Sequence, residues 1–221
     1  MSDTTVKPVS PDEDLVGLAR GHTARTEANS RLTAIAGLVL FVLLAALGVT
    51  ILRIHRLLAA HVVIGFALIG PLAVKLGSTG WRFVRYYTGD ADYERAGPPR
   101  PLLRVLAPLV VLTTVTVVAS GVALLTVHPG SGSILVGVHK ASFFLWFGVM
   151  TVHVLAYILP AARWSLADAI RSGPARVLAS RRTRQLLIGA SLIAGFMLGV
   201  AGLGWAHPWV SWFGRGGGGD H

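Results

Sequence analysis

Five long apolar stretches alternate with polar segments along the chain, and none of the five contains an aspartate or a glutamate. They cover about 32–52, 58–78, 102–126, 134–159 and 185–206. A helix needs about 20 predominantly apolar residues to cross the hydrocarbon core of a bilayer, and each stretch reaches that length. The pattern therefore predicts an all-α integral membrane protein, a helical bundle with five transmembrane helices.

The two ends of the chain differ from the part between them. Residues 1–31 are polar and lack the apolar segment of a signal peptide, so we expect a disordered cytoplasmic tail there. The glycine-rich C-terminus indicates that residues 207–221 form a flexible extracytoplasmic tail. A single five-span membrane domain is expected over residues 32–206.

Composition and charge agree with a membrane protein. Hydrophobic residues make up 53 % of the chain and charged residues 14 %, against about 25 % charged residues in soluble domains. A net charge of +10 would suggest nucleic acid as the partner of a soluble protein. Here it follows the topology, because all but four of the 20 Lys and Arg residues fall on the side of the N-terminus. The four exceptions are Arg53, Arg56, Lys140 and Arg215. The positive-inside rule then places the N-terminus in the cytoplasm and the C-terminus outside, with no role for nucleic acid.

The chain contains no cysteine. This excludes disulfides, iron–sulfur clusters, cysteine-ligated zinc and covalently attached c-type haem. Any redox cofactor must then be held by non-covalent ligands, of which histidine is the first to consider.

Three of the eight histidines lie within predicted spans, where an ionisable residue is a functional candidate. His61 in the second span and His139 in the fourth both lie a few residues inside the outer end, at a depth of about 5–10 Å. Two imidazoles at one depth on neighbouring helices are what axial ligation of a haem iron requires. His153 follows His139 by 14 residues, which places it within about 40° of the same helix face and about 21 Å deeper.

The role of His153 stays open at this point. The position 14 residues after His61 is Lys75, the inner ends of the first and third spans carry no histidine, and His22 precedes the first span by about ten residues. We therefore expect one haem b near the outer face, with iron ligands His61 and His139. His153 is either a ligand of a second haem, an alternative partner of His61, or a buried hydrogen-bonded histidine.

Small and basic residues surround the expected site. Gly65, one turn below His61, and Gly121 in the third span would let a macrocycle approach the helices closely, although small residues also serve helix packing. Arg53, Arg56 and Lys140 are the candidate cations for haem propionates, with lipid headgroup contact as the alternative. Packing is the expected role of four glycines in the fifth span: Gly189, Gly195, Gly199 and Gly202.

Two segments, HVVIGFALIGPLAVKLGSTGWRFVRYYTGD (61–90) and HKASFFLWFGVMTVH (139–153), resemble cytochrome b/b6-type and cytochrome b561-like membrane subunits. Such subunits anchor bacterial formate dehydrogenases and nickel–iron hydrogenases, and the likeness extends to actinobacterial cytochrome b/b6-domain proteins. The resemblance covers about four of the five spans and implies a four-helix haem-binding core. It implies an outer haem between His61 and His139, and an inner haem between His153 and a first-span histidine that this chain lacks.

The resemblance also implies a function. We expect a b-type cytochrome of the bacterial inner membrane that transfers electrons between the quinone pool and a partner oxidoreductase, and that has no catalytic residues of its own. Membrane lipid, a quinone and an oxidoreductase subunit, molybdopterin-dependent in some relatives, are the partners implied. The alternative is a cofactor-free scaffold or transporter-associated subunit, in which the same histidines form hydrogen bonds inside the bundle.

Overall fold

A computed structural model of the chain describes residues 23–97, 101–130, 133–171 and 173–215. These ranges form helices joined by turns and contain no strand. In chain order the helices are α1 (Ala24–Ile51), α2 (Ile54–Ala67), α3 (Ile69–Tyr87), α4 (Ala91–Arg95), α5 (Pro101–Leu124), α6 (Ser133–Ala169), α7 (Ala175–Ala179) and α8 (Arg181–Gly214).

Five helical segments are long and apolar enough to cross a membrane, which confirms the predicted all-α membrane fold. Span I is α1, span II combines α2 and α3, span III is α5, span IV is α6, and span V combines α7 and α8. Their lengths run from 21 to 40 residues. Because about 20 residues suffice to cross the hydrocarbon core, the longer spans extend past it. We call the end of the bundle where α1 begins the N-terminal face and the opposite end the C-terminal face.

The outermost helices extend further than the apolar pattern predicted. Span I begins at Ala24 instead of near residue 32, because Thr26 accepts a hydrogen bond of 2.9 Å from the backbone N–H of Thr23 and caps the helix start. Span V continues to Gly214, so the first part of the tail predicted from residue 207 is helical. The indole of Trp209 donates to the carbonyls of Leu124 and Val127, at 2.8 and 2.9 Å, which fixes this extension against the end of span III. The rest of the two predicted tails, 1–22 with His22 and 216–221, lies outside the described residues.

Most of the packing between the spans follows the order III, IV, I, II, V, and span V touches spans III and IV only near its ends, through Trp209 and Arg184. Span I packs against both span II and span IV, span III packs on span IV, and span V packs on span II. Over the described ranges span II makes no extensive contact with spans III or IV. The four helices of the implied haem-binding core are therefore joined through span I, and the facing sides of spans II and IV do not pack directly on each other.

Glycines allow span V to approach span II closely. A Cβ atom added at Gly195 would lie 2.8 Å from the carbonyl oxygen of Ala67, and one at Gly199 would lie 2.7 Å from that of Val63. Side chains at these positions would push the two helices apart. The packing role predicted for the fifth-span glycines thus holds for these two, and for Gly202, which faces the ring of Phe66.

A buried charge network joins spans I, IV and V at the N-terminal face. Asp168 pairs with Arg184 and lies 3.7 Å from Arg31, which in turn pairs with Glu27 at 2.6 Å. All four residues are at most 5 % exposed. Two cations and two carboxylates balance, so the network can be buried without a net charge.

Candidate functional site

Spans II and IV bring His61 and His139 together towards the C-terminal face. His61 lies in the middle of α2 and His139 near the start of α6, and both helices run from the C-terminal to the N-terminal face. The two imidazoles are half-buried and close enough to interact electrostatically. The structure therefore places side by side the two histidines that the sequence singled out as a ligand pair.

A hydroxyl group fixes the orientation and tautomer of His61. Its Nδ1 lies 2.8 Å from Oγ1 of Thr50, at the end of span I. The Thr50 hydroxyl has a single proton, which it donates to the carbonyl of Leu47 over 2.5 Å. Thr50 must therefore accept from His61, so the imidazole carries its proton on Nδ1 and has its lone pair on Nε2.

His139 makes the same kind of hydrogen bond, to a hydroxyl of span III. Its Nδ1 lies 2.9 Å from Oγ of Ser120 in span III. Ser120 also lies 3.1 Å from the carbonyl of Val117, which takes its proton when Ser120 accepts from the Nδ1–H form of the imidazole. Ser142 lies 3.3 Å from Ser120 and bonds the backbone carbonyl of His139, which holds this part of span IV against span III.

Both histidines thus present a free Nε2 lone pair. The side-chain hydrogen bonds of both rings run through Nδ1, and His139 also bonds the backbone of Val117. A metal-binding histidine characteristically donates its other ring N–H to a fixed acceptor, which sets the tautomer and the direction of the ring. Each of the two histidines meets this requirement. No group of three or more His, Asp or Glu side chains suited to a metal occurs in the described part of the chain, so the site offers two protein ligands. The donor set fits an iron that receives its remaining ligands from a porphyrin.

The two glycines predicted near the site have different surroundings. A Cβ at Gly121 would lie 3.0 Å from Cε1 of His139, so this glycine makes room for the imidazole, and its place beside a macrocycle stays a prediction. Gly65 lies one turn beyond His61, on the same face of α2, and a Cβ there would meet no atom within 4 Å. Space beside His61 is therefore open at Gly65.

The three predicted cations lie near the C-terminal face but not in one place. Arg53 and Arg56 are exposed and, with His55, line a cleft of about 300 Å³ at the turn between spans I and II. Lys140 is exposed on span IV and is not part of that lining. Of the three, only the two arginines form a common positive surface.

Deeper in the bundle, the structure brings His153 near Lys75. The two side chains interact electrostatically, and each lies 14 residues beyond a member of the first pair on the same helix. Lys75 Nζ donates to the carbonyl of Thr33 over 3.3 Å, in space left by Gly37. The ring of His153 lies against that of Tyr157, with 4.9 Å between centroids. Unlike His61 and His139, His153 has no hydroxyl partner in the described structure.

Sequence reasoning found the histidines but missed Thr50 and Ser120. Both hydroxyl residues lie at the same depth in the membrane as the histidines, and that depth can be counted from the sequence. Several other Ser and Thr residues in the spans have comparable depth, for example Thr116 and Ser142, and the choice among them depends on helix rotation and packing order.

Comparison of the chain with protein-family models, with curated proteins and with solved structures finds no match.

Proposed function

We propose that the protein is a membrane b-type cytochrome that transfers electrons between the quinone pool and a partner oxidoreductase, through haem b with His61 and His139 as axial ligands. The observation that carries the proposal is the pair of Nδ1–hydroxyl hydrogen bonds, His61 to Thr50 and His139 to Ser120. Each hydrogen bond from Nδ1 leaves the Nε2 lone pair of its ring available to a metal, as a metal-binding histidine requires.

The residues of the chain would hold and tune the cofactor. Haem b supplies a one-electron redox couple when bound. Thr50 and Ser120 keep both imidazoles in the Nδ1–H tautomer, and Gly121 gives the His139 ring its place against span III. Arg53 and Arg56 supply positive charge at the same end of the bundle, where the propionates of a haem would need it.

Lys75 and His153 support the quinone part of the proposal. They provide an ammonium and an imidazole on spans II and IV, about 21 Å from the histidine pair along the helices. Both can donate a hydrogen bond to a quinone carbonyl, and the side chain of His153 is not committed to a hydroxyl as the two proposed iron ligands are. We assign one haem to the chain and the Lys75–His153 pair to the quinone.

The proposed location is the bacterial inner membrane, with the N-terminus in the cytoplasm. The excess of Lys and Arg on the N-terminal face supports this orientation. The partner oxidoreductase, which is molybdopterin-dependent in proteins that the sequence resembles, would then bind at the C-terminal face, nearest to the haem.

The test is the haem content of the protein purified in detergent from cells that make haem. We expect a reduced-minus-oxidised spectrum typical of haem b and one haem per chain in a pyridine haemochrome assay. His61→Ala and His139→Ala should each abolish the spectrum while the protein still folds. His55→Ala and His153→Ala are the matched controls, and both should keep it.

Two results would overturn the proposal. Absence of haem in the wild-type protein would favour the cofactor-free scaffold. Haem that survives both His61→Ala and His139→Ala would mean that other residues ligate the iron.

A further inference from the structure

A cleft opens at the N-terminal face between spans I, II and V, far from the histidine pair. Its volume is about 430 Å³. Arg25 of α1 and Arg184 of α8 lie on two sides of it, and Tyr93 of the short helix α4 lies on a third. None of these residues has a part in the proposed electron transfer.

Most polar groups of the cleft can donate hydrogen bonds, whereas Asn29 in its lining uses Nδ2 on the carbonyl of Ser78 and keeps an acceptor oxygen. Besides the two arginines, the indole of Trp81 and the hydroxyls of Tyr93 and Thr183 line it, and no carboxylate is among its described lining residues. Arg25 is 56 % exposed, and its contacts with Asp90 and Asp92 are long, at 3.7 Å each, so its guanidinium keeps donors available. A lining of this kind favours an anion with several acceptor oxygens.

Arg184, which lines the cleft, has one N–H group without a partner in the described structure. The residue is 4 % exposed; one terminal nitrogen bonds Ser180 and the carbonyl of Val177, and the other bonds Asp168. Its Nε–H is buried and has no acceptor within the described structure. A buried N–H without an acceptor is unfavourable, and a ligand oxygen that reached it would remove that cost.

The cleft also changes from polar to apolar towards the membrane interior. Along α1 the lining residues run from Arg25 at the polar end to Leu32 at the apolar end, and along span V from Ser180 to Leu187. The two ends are seven residues apart in each case, about 10 Å along the helix. The ligand therefore needs a polar head at the membrane surface and an apolar chain that runs towards the bilayer centre.

We propose that this cleft binds one anionic phospholipid of the adjacent leaflet, with its phosphate between Arg25 and Arg184 and an acyl chain along Leu32 and Leu187. Charge and polarity together point to a phospholipid. A free phosphate would leave the apolar half of the cleft unfilled, and a neutral quinone would not need two arginines.

The test is native mass spectrometry of the delipidated full-length protein, titrated with phosphatidylglycerol or with phosphatidylcholine of the same acyl chains. We expect one phosphatidylglycerol per protein, bound in preference to phosphatidylcholine. A juxtamembrane arginine contributes about 1 kcal/mol to binding an anionic lipid, so Arg25→Gln should lower the affinity for phosphatidylglycerol about fivefold. Arg182→Gln, which removes an exposed arginine outside the lining, is the matched control and should change nothing.

A second variant tests the cleft without removing charge. Ala28→Phe places a ring in the lining while both arginines remain, and it should abolish the preference for phosphatidylglycerol. Thermal unfolding of each variant checks that it has folded. Equal binding of the two lipids, equal affinities of Arg25→Gln and Arg182→Gln, or a preference that survives Ala28→Phe would each overturn the proposal. So would displacement of the lipid by inorganic phosphate or by a quinone analogue.

Discussion

The hydroxyl of Thr50 should determine how tightly the protein binds haem. Thr50→Val keeps the shape of the side chain but removes the acceptor that lies 2.8 Å from Nδ1 of His61. Binding iron through Nε2 forces the proton onto Nδ1, where the variant offers it no acceptor. A buried donor left without a partner costs about 1–3 kcal/mol, and loss of such a partner typically weakens metal binding about 10- to 100-fold.

The assay is titration of the apo-protein in detergent with haemin, followed by its Soret absorption. We expect the dissociation constant of Thr50→Val to rise by about one order of magnitude, and that of Ser120→Ala to change in the same direction. Thr116→Val is the matched control, because Thr116 is exposed on span III and its hydroxyl donates only to the carbonyl of Leu112, at 2.9 Å. If Thr50→Val binds haem as tightly as Thr116→Val does, the hydroxyl does not orient a ligand and the tautomer argument fails.

Three further predictions follow from the structure. Lys75→His would place an imidazole opposite His153, so it should raise the haem content of the purified protein from one to two per chain in a pyridine haemochrome assay. Asp168→Asn removes a carboxylate from the buried charge network and should destabilise the fold by about 3–5 kcal/mol, seen as a lower thermal unfolding midpoint in detergent. Gly199→Ala should lower that midpoint because its Cβ would meet span II, whereas Gly189→Ala, with no atom within 4 Å, should not.

Each of these predictions has a contradicting result. Lys75→Met should stay at one haem, and a second haem in that variant would mean that His153 finds another partner. Asp92→Asn makes the same chemical change at a partly exposed aspartate. An equal loss of stability in that variant would mean that the buried network has no special role in stabilising the fold. Equal unfolding midpoints for the two glycine variants would show that spans II and V do not rely on close approach.

The membrane fold could be predicted because hydrophobic length is a local property of the chain. Each span can be recognised as an apolar run, independently of how the other spans pack. The helix ends could not be placed as well, because they depend on particular side chains. Thr26 caps α1, which begins eight residues before the apolar run, and Trp209 fixes the end of span V by bonding carbonyls near the end of span III.

The candidate site could be predicted only in part, for a similar reason. Depth follows from counting residues along a helix, and that was enough to single out His61 and His139. The rotation of each helix about its axis and the identity of its neighbours depend on how the helices pack. The sequence therefore did not show which hydroxyl each ring bonds. The same limit explains why the sequence did not show that Gly121 gives space to the His139 ring.

The row-like order of the spans has a consequence for how the protein is made. Span I is synthesised first and contacts both helices that carry the proposed ligands, so it can position span II and later span IV as they enter the membrane. The ligand pair is complete once α6 has been inserted, and span V then packs on span II. A chain that stops after span IV would already contain both imidazoles and both of their hydroxyl partners, so on the proposed function haem capture can begin before synthesis ends.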